Sequence, residues 1–330
     1  MRPQSLVFWL AVLPLFIVSP VCAQTSEVSL DPPRPKITTV SAMRARRNPQ
    51  VAAEEVMRLK LGTVVNAVAR SSDQENIGGK TDYWYRVGLP KGGSGWLFGG
   101  LLLDYAPGRR PELLRQIIEA RLSSMNTDFK DREELYNFVS GMVAETRDAN
   151  AQAEFELFKL LALTHWAGSI PDDQRGKSPY REWLRAHNSE VIHNEFGGGY
   201  DVLTELFWKL EAKYHTLAVA DRIAWEAVQN EEPSDCESDE VCAFLVFGER
   251  QVKYLSLHPN GAHAAEVVQS LTEMITDEII EMANSKGGDK YVAEQRAALR
   301  RSLASLRLAL PKTPSPGKDQ LLVKLQRVNP

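Results

Sequence analysis

Hydrophobic and polar positions change rhythm three times along the 330-residue chain. The first rhythm is a plain apolar run, "LVFWLAVLPLFIV" from Leu6 to Val18, behind the positive start Met1-Arg2. From Lys36 to Tyr105 the rhythm shortens toward period two, in "ITTVSAMRARR", "VMRLKLGTVVNAVAR", "YWYRVGL" and "GWLFGGLLLDY". Turn formers separate these segments: "RRNPQ", "SSDQENIGGKTD" and "PKGGSG". Alternation of this length predicts short strands, and several at this spacing predict a small all-β barrel or sandwich. After "APGRRP" apolar residues recur three and four apart, as in "ELLRQIIEARL", "REELYNFVSGMVAE" and "AEFELFKLLALTHWAG", which predicts helices. Pro111 beside Glu112 marks a first helical turn. "DVLTELFWKLEAKYHTLAVADRIAWEAVQN" predicts one long helix or two abutting ones. A tight Pro259-Asn260-Gly261 turn then separates two more, and "AEQRAALRRSLASLRLAL" is the last amphipathic stretch.

This pattern predicts a multi-domain chain, a small all-β barrel followed by an all-α helical domain. Residues 1–23 read as a secretory signal peptide, because "VCAQ" places small residues Val21 and Ala23 where a signal peptidase cuts. The apolar run is shorter than the roughly 20 residues of a comfortable span, so no stable membrane span is expected after cleavage. An uncleaved anchor is one alternative; lipidation of Cys22 is another, with Ser19 standing where a lipoprotein signal wants a leucine-like residue. Residues 24–35, with "DPPRP", read as a linker, 36–105 as the β domain, 110–310 as the helical domain and the proline-rich 311–330 as a flexible tail.

Charge follows the same boundary. The formal net charge of −4 argues against nucleic acid as the main partner. Residues 36–105 carry an excess of basic side chains and residues 106–330 an excess of acidic ones, so a polyanionic surface would meet the β domain. Export also governs the cysteines. Cys22 leaves with the signal, and Cys236 and Cys242 in "CESDEVC" then close a short local disulfide loop. A redox or metal role for the pair lacks a C-x-x-C and a nearby histidine.

The β segment resembles a bacterial SH3 domain. The residues that carry the likeness are Arg44 and Arg46 in "AMRARRNPQ", Gly62 and Val65 in "LGTVV", "YWYRV" at Tyr83–Val87, and Gly95-Trp96 in "GSGWL". Two departures stand out: the insertion "SSDQENIGGKTD" and the lack of an Asn-Val before the first arginine. The resemblance implies an SH3-like barrel that binds cell-wall peptidoglycan or an envelope protein, in the periplasm or at the cell envelope. Strand alternation sends Tyr83, Tyr85 and Val87 to one face and Trp84 and Arg86 to the other. Val65, Val87, Leu97 and some aromatics then fill the interior, while the ring faces of Trp84 and Trp96, beside Arg86, Arg44 and Arg46, form the expected ligand surface. The helical part resembles tetratricopeptide-like envelope proteins at "YLSLHPNGAHAAEVVQSL", but no repeat of about 34 residues recurs, which favours an irregular bundle.

Catalytic motifs were sought because wall-binding modules accompany hydrolases. The six histidines form no H-E-x-x-H, no G-x-S-x-G occurs, and no free thiol remains for a cysteine peptidase. "HNEFGGGYD", with Glu195 and Asp201, reads as a loop between helices, since no P-loop lysine accompanies its glycines. His258 and His263 flank the Pro-Asn-Gly turn and read as polar caps; Trp166, Trp183, Trp208 and Trp225 read as packing anchors. The expectation is therefore a non-enzymatic exported protein without cofactor or metal. A cell-wall hydrolase with an unrecognised site in the helical domain and an envelope assembly scaffold are the alternatives.

Overall fold

The computed structural model describes residues 27–124, 128–195, 198–230 and 234–329. The proposed signal peptide lies outside these residues. One compact unit takes in the chain up to Ile37, Arg44–Arg58 and Val64–Asp104; the other takes in Thr38–Met43, Leu59–Thr63 and the chain from Tyr105 onward.

The first unit is built on an antiparallel sheet of seven strands: β1 (Glu27–Thr38), β2 (Met43–Arg46), β3 (Glu55–Leu59), β4 (Val64–Ile77), β5 (Lys80–Gly88), β6 (Ser94–Phe98) and β7 (Leu102–Asp104). Their order is β3-β2-β6-β5-β4-β1-β7. The closed barrel expected from the strand count is thus an open sheet in its hydrogen-bonded ladder. The β2 strand meets β6 at the pair Arg46↔Trp96, and β3 and β7 remain as edges. Alternation in β4 buries Val65, Ala67, Ala69 and Ser71, and these face a core that includes Ile37, Val87 and Leu97.

Two boundaries differ from the sequence reading. Residues 27–35 belong to β1 and not to a linker, because Glu27–Ser29 pair with Ala69–Ser71. The pairing register shifts between Ser29 and Arg34, where Pro32 and Pro33 sit, so prolines that cannot donate to a ladder are carried in a bulge. The insertion 71–82 is not a loose loop. It lengthens β4 and β5 into a long hairpin, with pairs running from Gln74↔Tyr83 to Ile77↔Lys80.

The second unit is helical. It comprises α1 (Arg110–Leu122), α2 (Phe129–Glu145), α3 (Ala149–Ala167), α4 (Tyr180–Ala186), the hairpin β8 (Val191–His193) and β9 (Tyr200–Val202), α5 (Thr204–Tyr214) and α6 (Val219–Gln229). There follow α7 (Glu240–Ala243), α8 (Glu249–Leu257), α9 (Ala264–Met274), α10 (Asp277–Asn284), α11 (Lys290–Ala309) and α12 (Lys318–Gln326). The stretch 201–230 resolves into two helices, α5 and α6. Asp128 and Asp148 cap α2 and α3 by accepting the Asp131 and Ala151 amides. Two buried clusters organise the unit. One joins Leu163, Trp166, Trp183, Val202, Phe207 and Ile223; the other joins Phe244, Tyr254, Leu271, Ile279, Leu303 and Leu325.

Residues 311–329 are a packed element and not the expected flexible tail. Leu321 and Leu325, one turn apart on α12, are buried with Val328. Arg307 donates to the carbonyls of Leu325 and Val328, and Lys324 Nζ donates to those of Thr272 and Ile275 at 2.7 and 2.9 Å. A 3₁₀ turn at Leu310–Lys312 and Gly317 in the left-handed region separate α11 from α12. Cys236 and Cys242 stand at disulfide distance, S–S 2.14 Å, beside the start of α7, where Asp239 accepts the Cys242 amide.

Candidate functional site

Each residue expected to form a ligand surface on the β unit is engaged in internal contacts. Trp84 is 3% exposed and Trp96 8%, and both pack with Phe98 against Ile77 and Leu101. Register explains the cluster: Trp84↔Phe98 and Arg86↔Trp96 are cross-strand pairs on the face opposite Tyr85, Val87 and Leu97. The hairpin insertion completes it. Glu75 accepts the Trp84 indole N–H at 2.5 Å, and the Ser71 hydroxyl accepts the Trp84 amide. Both rings expected to form a ligand platform are therefore buried, and Ser71 and Glu75 of the 71–82 insertion supply the polar partners of Trp84. Arg86 pairs with Glu27 at 2.8 Å. Arg44 lies 3.6 Å from Glu55, and Arg46 donates to the Ala53 carbonyl at 2.6 Å.

The helical unit offers a different kind of site, a groove of about 410 Å³ walled by α2, α3 and α5. Helical spacing builds its walls. Glu156, Lys159, Leu160 and Leu163 on α3, and Leu206, Lys209, Leu210 and Lys213 on α5, each recur at i, i+3, i+4 and i+7. Tyr136 and Val143, two turns apart on α2, and Glu190 complete the lining. Leu163 and Leu210 are buried beneath it, whereas Leu160 and Leu206 keep part of their surface free. Lys209 and Lys213 stand on the rim, 65% and 55% exposed at the side chain.

The two carboxylates of the lining are already occupied. Glu156 accepts from Lys213 at 2.8 Å and from the Tyr214 hydroxyl at 3.0 Å, and this hydrogen bond raises the Lys213 ammonium above its ordinary range. Burial is the first cause that pushes the Tyr214 phenol upward. Glu190 contacts His187 Nδ1 at 2.6 Å. Lys159, by contrast, has no carboxylate at ion-pair distance among the described residues; its ammonium lies 5.3 Å from the Tyr136 ring centroid. An apolar floor between lysines can hold an apolar group that carries negative charge.

A second, more polar pocket of about 300 Å³ is lined by Thr164, His165, Asp201, Glu226, Gln229 and Asn230, with Leu161 and Phe207. It absorbs part of "HNEFGGGYD": the segment is the β8–β9 connection, not a loop between helices, and Asn194 donates to Asp201 at 2.8 Å. Burial raises the Glu226 carboxyl, with Arg222 and His263 pulling the other way. Among the described residues no group of three or more His, Cys, Asp or Glu is placed to hold a metal ion, and no helix is long and apolar enough to cross a membrane.

The groove was invisible to a motif search because it contains no motif. Its signal was compositional: α3 carries Leu157, Phe158, Leu160, Leu161, Ala162 and Leu163 in one run, more apolar surface than one packing face consumes. No family model, curated protein or solved structure matches the chain.

Proposed function

We propose that this chain is an exported, non-enzymatic binding protein of the cell envelope, with an SH3-like β unit and a helical unit whose groove holds a protein partner. The groove carries the reading: the partly exposed Leu160, Leu206 and Tyr136 and three lysines converge on one open cavity above the buried Leu163 and Leu210. The SH3-like reading of the β unit is supported by the 3₁₀ turn Gly99–Leu101 between β6 and β7, and by the return of β7 to β1. The arm β2–β3 inserted between β1 and β4 supports it as well. The disulfide pair supports an oxidising compartment.

A photo-crosslinking amino acid at Val143 in the groove tests the reading, with exposed Leu308 on α11 as control. Discrete envelope proteins trapped from Val143 and not from Leu308 are expected. Mature protein incubated with insoluble peptidoglycan shows whether the wall is a further ligand and whether muropeptides are released. One observation favours a second reading, a hydrolase: Glu226, raised by burial, shares its pocket with Asp201 and His165, a pairing suited to acid–base work. Muropeptide release that disappears in Glu226→Gln establishes that reading and ends the first.

A further inference from the structure

The chemistry of the groove's occupant can be taken further. Its wall segments on α3 and α5 each span seven residues, about 10 Å or two helical turns. Cations sit on both walls and along the length: Lys159 on α3, and Lys209 and Lys213 one turn apart on α5. A single alkyl carboxylate presents one charge at one end and leaves the other lysines unmatched. A helix with an apolar stripe and acidic flanks meets Lys159 and Lys209 on the two walls at once, and its ridges suit a trough walled by two helices.

Local charge contrasts with that of the surrounding unit. Residues 106–330 carry more acidic than basic side chains, yet the groove lining carries three lysines against two glutamates. Those glutamates are held by Lys213, Tyr214 and His187, and Lys209 pairs with the exposed Glu205 at 3.1 Å. An exposed pair of that kind contributes little and is readily exchanged. Lys159 lies over the Tyr136 ring, with no carboxylate at ion-pair distance among the described residues.

We propose that the groove receives an acidic amphipathic helix of a protein partner, two turns of which lie with apolar side chains on Leu160, Leu206, Tyr136 and Val143. Carboxylates on its flanks pair with Lys159 and Lys209. This rests on reading the groove as the binding site.

The test uses the mature full-length protein and two fluorescein-labelled four-turn helical peptides that share one leucine stripe, flanked by glutamates in one and lysines in the other. Fluorescence anisotropy is expected to show saturable binding of the glutamate peptide at least about tenfold tighter than the lysine peptide. Added salt is expected to weaken it. Lys159→Glu and Lys209→Glu are each expected to weaken it about tenfold with unchanged melting curves, as neither side chain is buried. Lys159→Arg retains binding. Equal affinity for both peptides, binding of neither, or binding of sodium decanoate in place of the peptides overturns the proposal. A Val143 crosslink without affinity for the glutamate peptide overturns the occupant's chemistry alone. Absence of any Val143 crosslink removes the groove reading itself.

Discussion

Gly261→Ala is expected to destabilise the helical unit strongly, although the turn that holds this glycine tolerates alanine by backbone conformation. A β-carbon at position 261 would stand 2.1 Å from Asp221 Oδ1 and 2.3 Å from the Tyr254 hydroxyl oxygen. Those two atoms are bonded to each other at 2.6 Å, and Asp221 also accepts the Ala262 amide at 3.0 Å. Tyr254 is fully buried and its hydroxyl accepts the His263 amide, so the ring cannot swing aside. The methyl group therefore separates a charge-assisted bond worth about 1.5–3 kcal/mol and leaves a buried hydroxyl strained. Overpacking adds about 1–3 kcal/mol. The total, about 2.5–6 kcal/mol, corresponds to a fall in Tm of roughly 5–24 °C for a unit of this size. Thermal melts followed by far-ultraviolet circular dichroism read it directly. Tyr254→Phe removes one of the clashing atoms, so the double variant is expected to lose less than the sum of the two singles. A Tm for Gly261→Ala within about 1 °C of the parent, or strict additivity with Tyr254→Phe, refutes the reasoning.

Other outcomes follow from the same packing. Trp84→Ala is expected to cost the β unit about 3–5 kcal/mol in urea melts, whereas Arg44→Ala, at an exposed ion pair, changes stability by less than about 1 kcal/mol. Leu325→Ala is expected to cost about 2–5 kcal/mol, and an unchanged melt would restore a loose C-terminus. Glu226→Gln is expected to raise Tm at neutral pH and not in acid. Burial lifts the Glu226 carboxyl in the folded state, so the proton is bound more tightly folded than unfolded. Its contribution is most favourable below the unfolded carboxylate pKa of about 4.3 and is lost as pH rises through the folded value; Gln removes that loss. A pH series of melts that is parallel for the two proteins contradicts this.

Much of the architecture was legible in the sequence, for a simple reason: period-two and period-3.6 patterns report which face of a local element is buried. The β-to-α switch near residue 106, the two helices flanking Pro259-Asn260-Gly261 and the local cysteine pair all follow from neighbours in the chain. The errors share the opposite cause. Prolines at 32 and 33 read as a linker because a bulge opposite β4 is a long-range fact. "PKTPSPGKDQ" read as a frayed end because Leu321 and Leu325 acquire their partners on helices distant in sequence. His258 and His263 do stand at the cap positions of α8 and α9, but only the tertiary structure sets the ring of His258 on the buried Glu211 at 3.1 Å and stacks His263 on Trp225 at 3.9 Å between centroids.

By itself the sequence determined the order of a β part and then a helical part, their charge, and the chemical character of every side chain on offer. Tertiary structure alone decided which of those side chains are spent inside. Trp84 and Trp96 have the chemistry of a binding surface, but cross-strand register with Phe98 and the Glu75 carboxylate from the inserted hairpin turn them into core. Lys159, Leu206 and Lys213 belong to two helices separate in the chain, and they form a groove because α3 and α5 pack side by side. Alternation and periodicity are local properties, whereas exposure depends on what the rest of the chain places opposite each face.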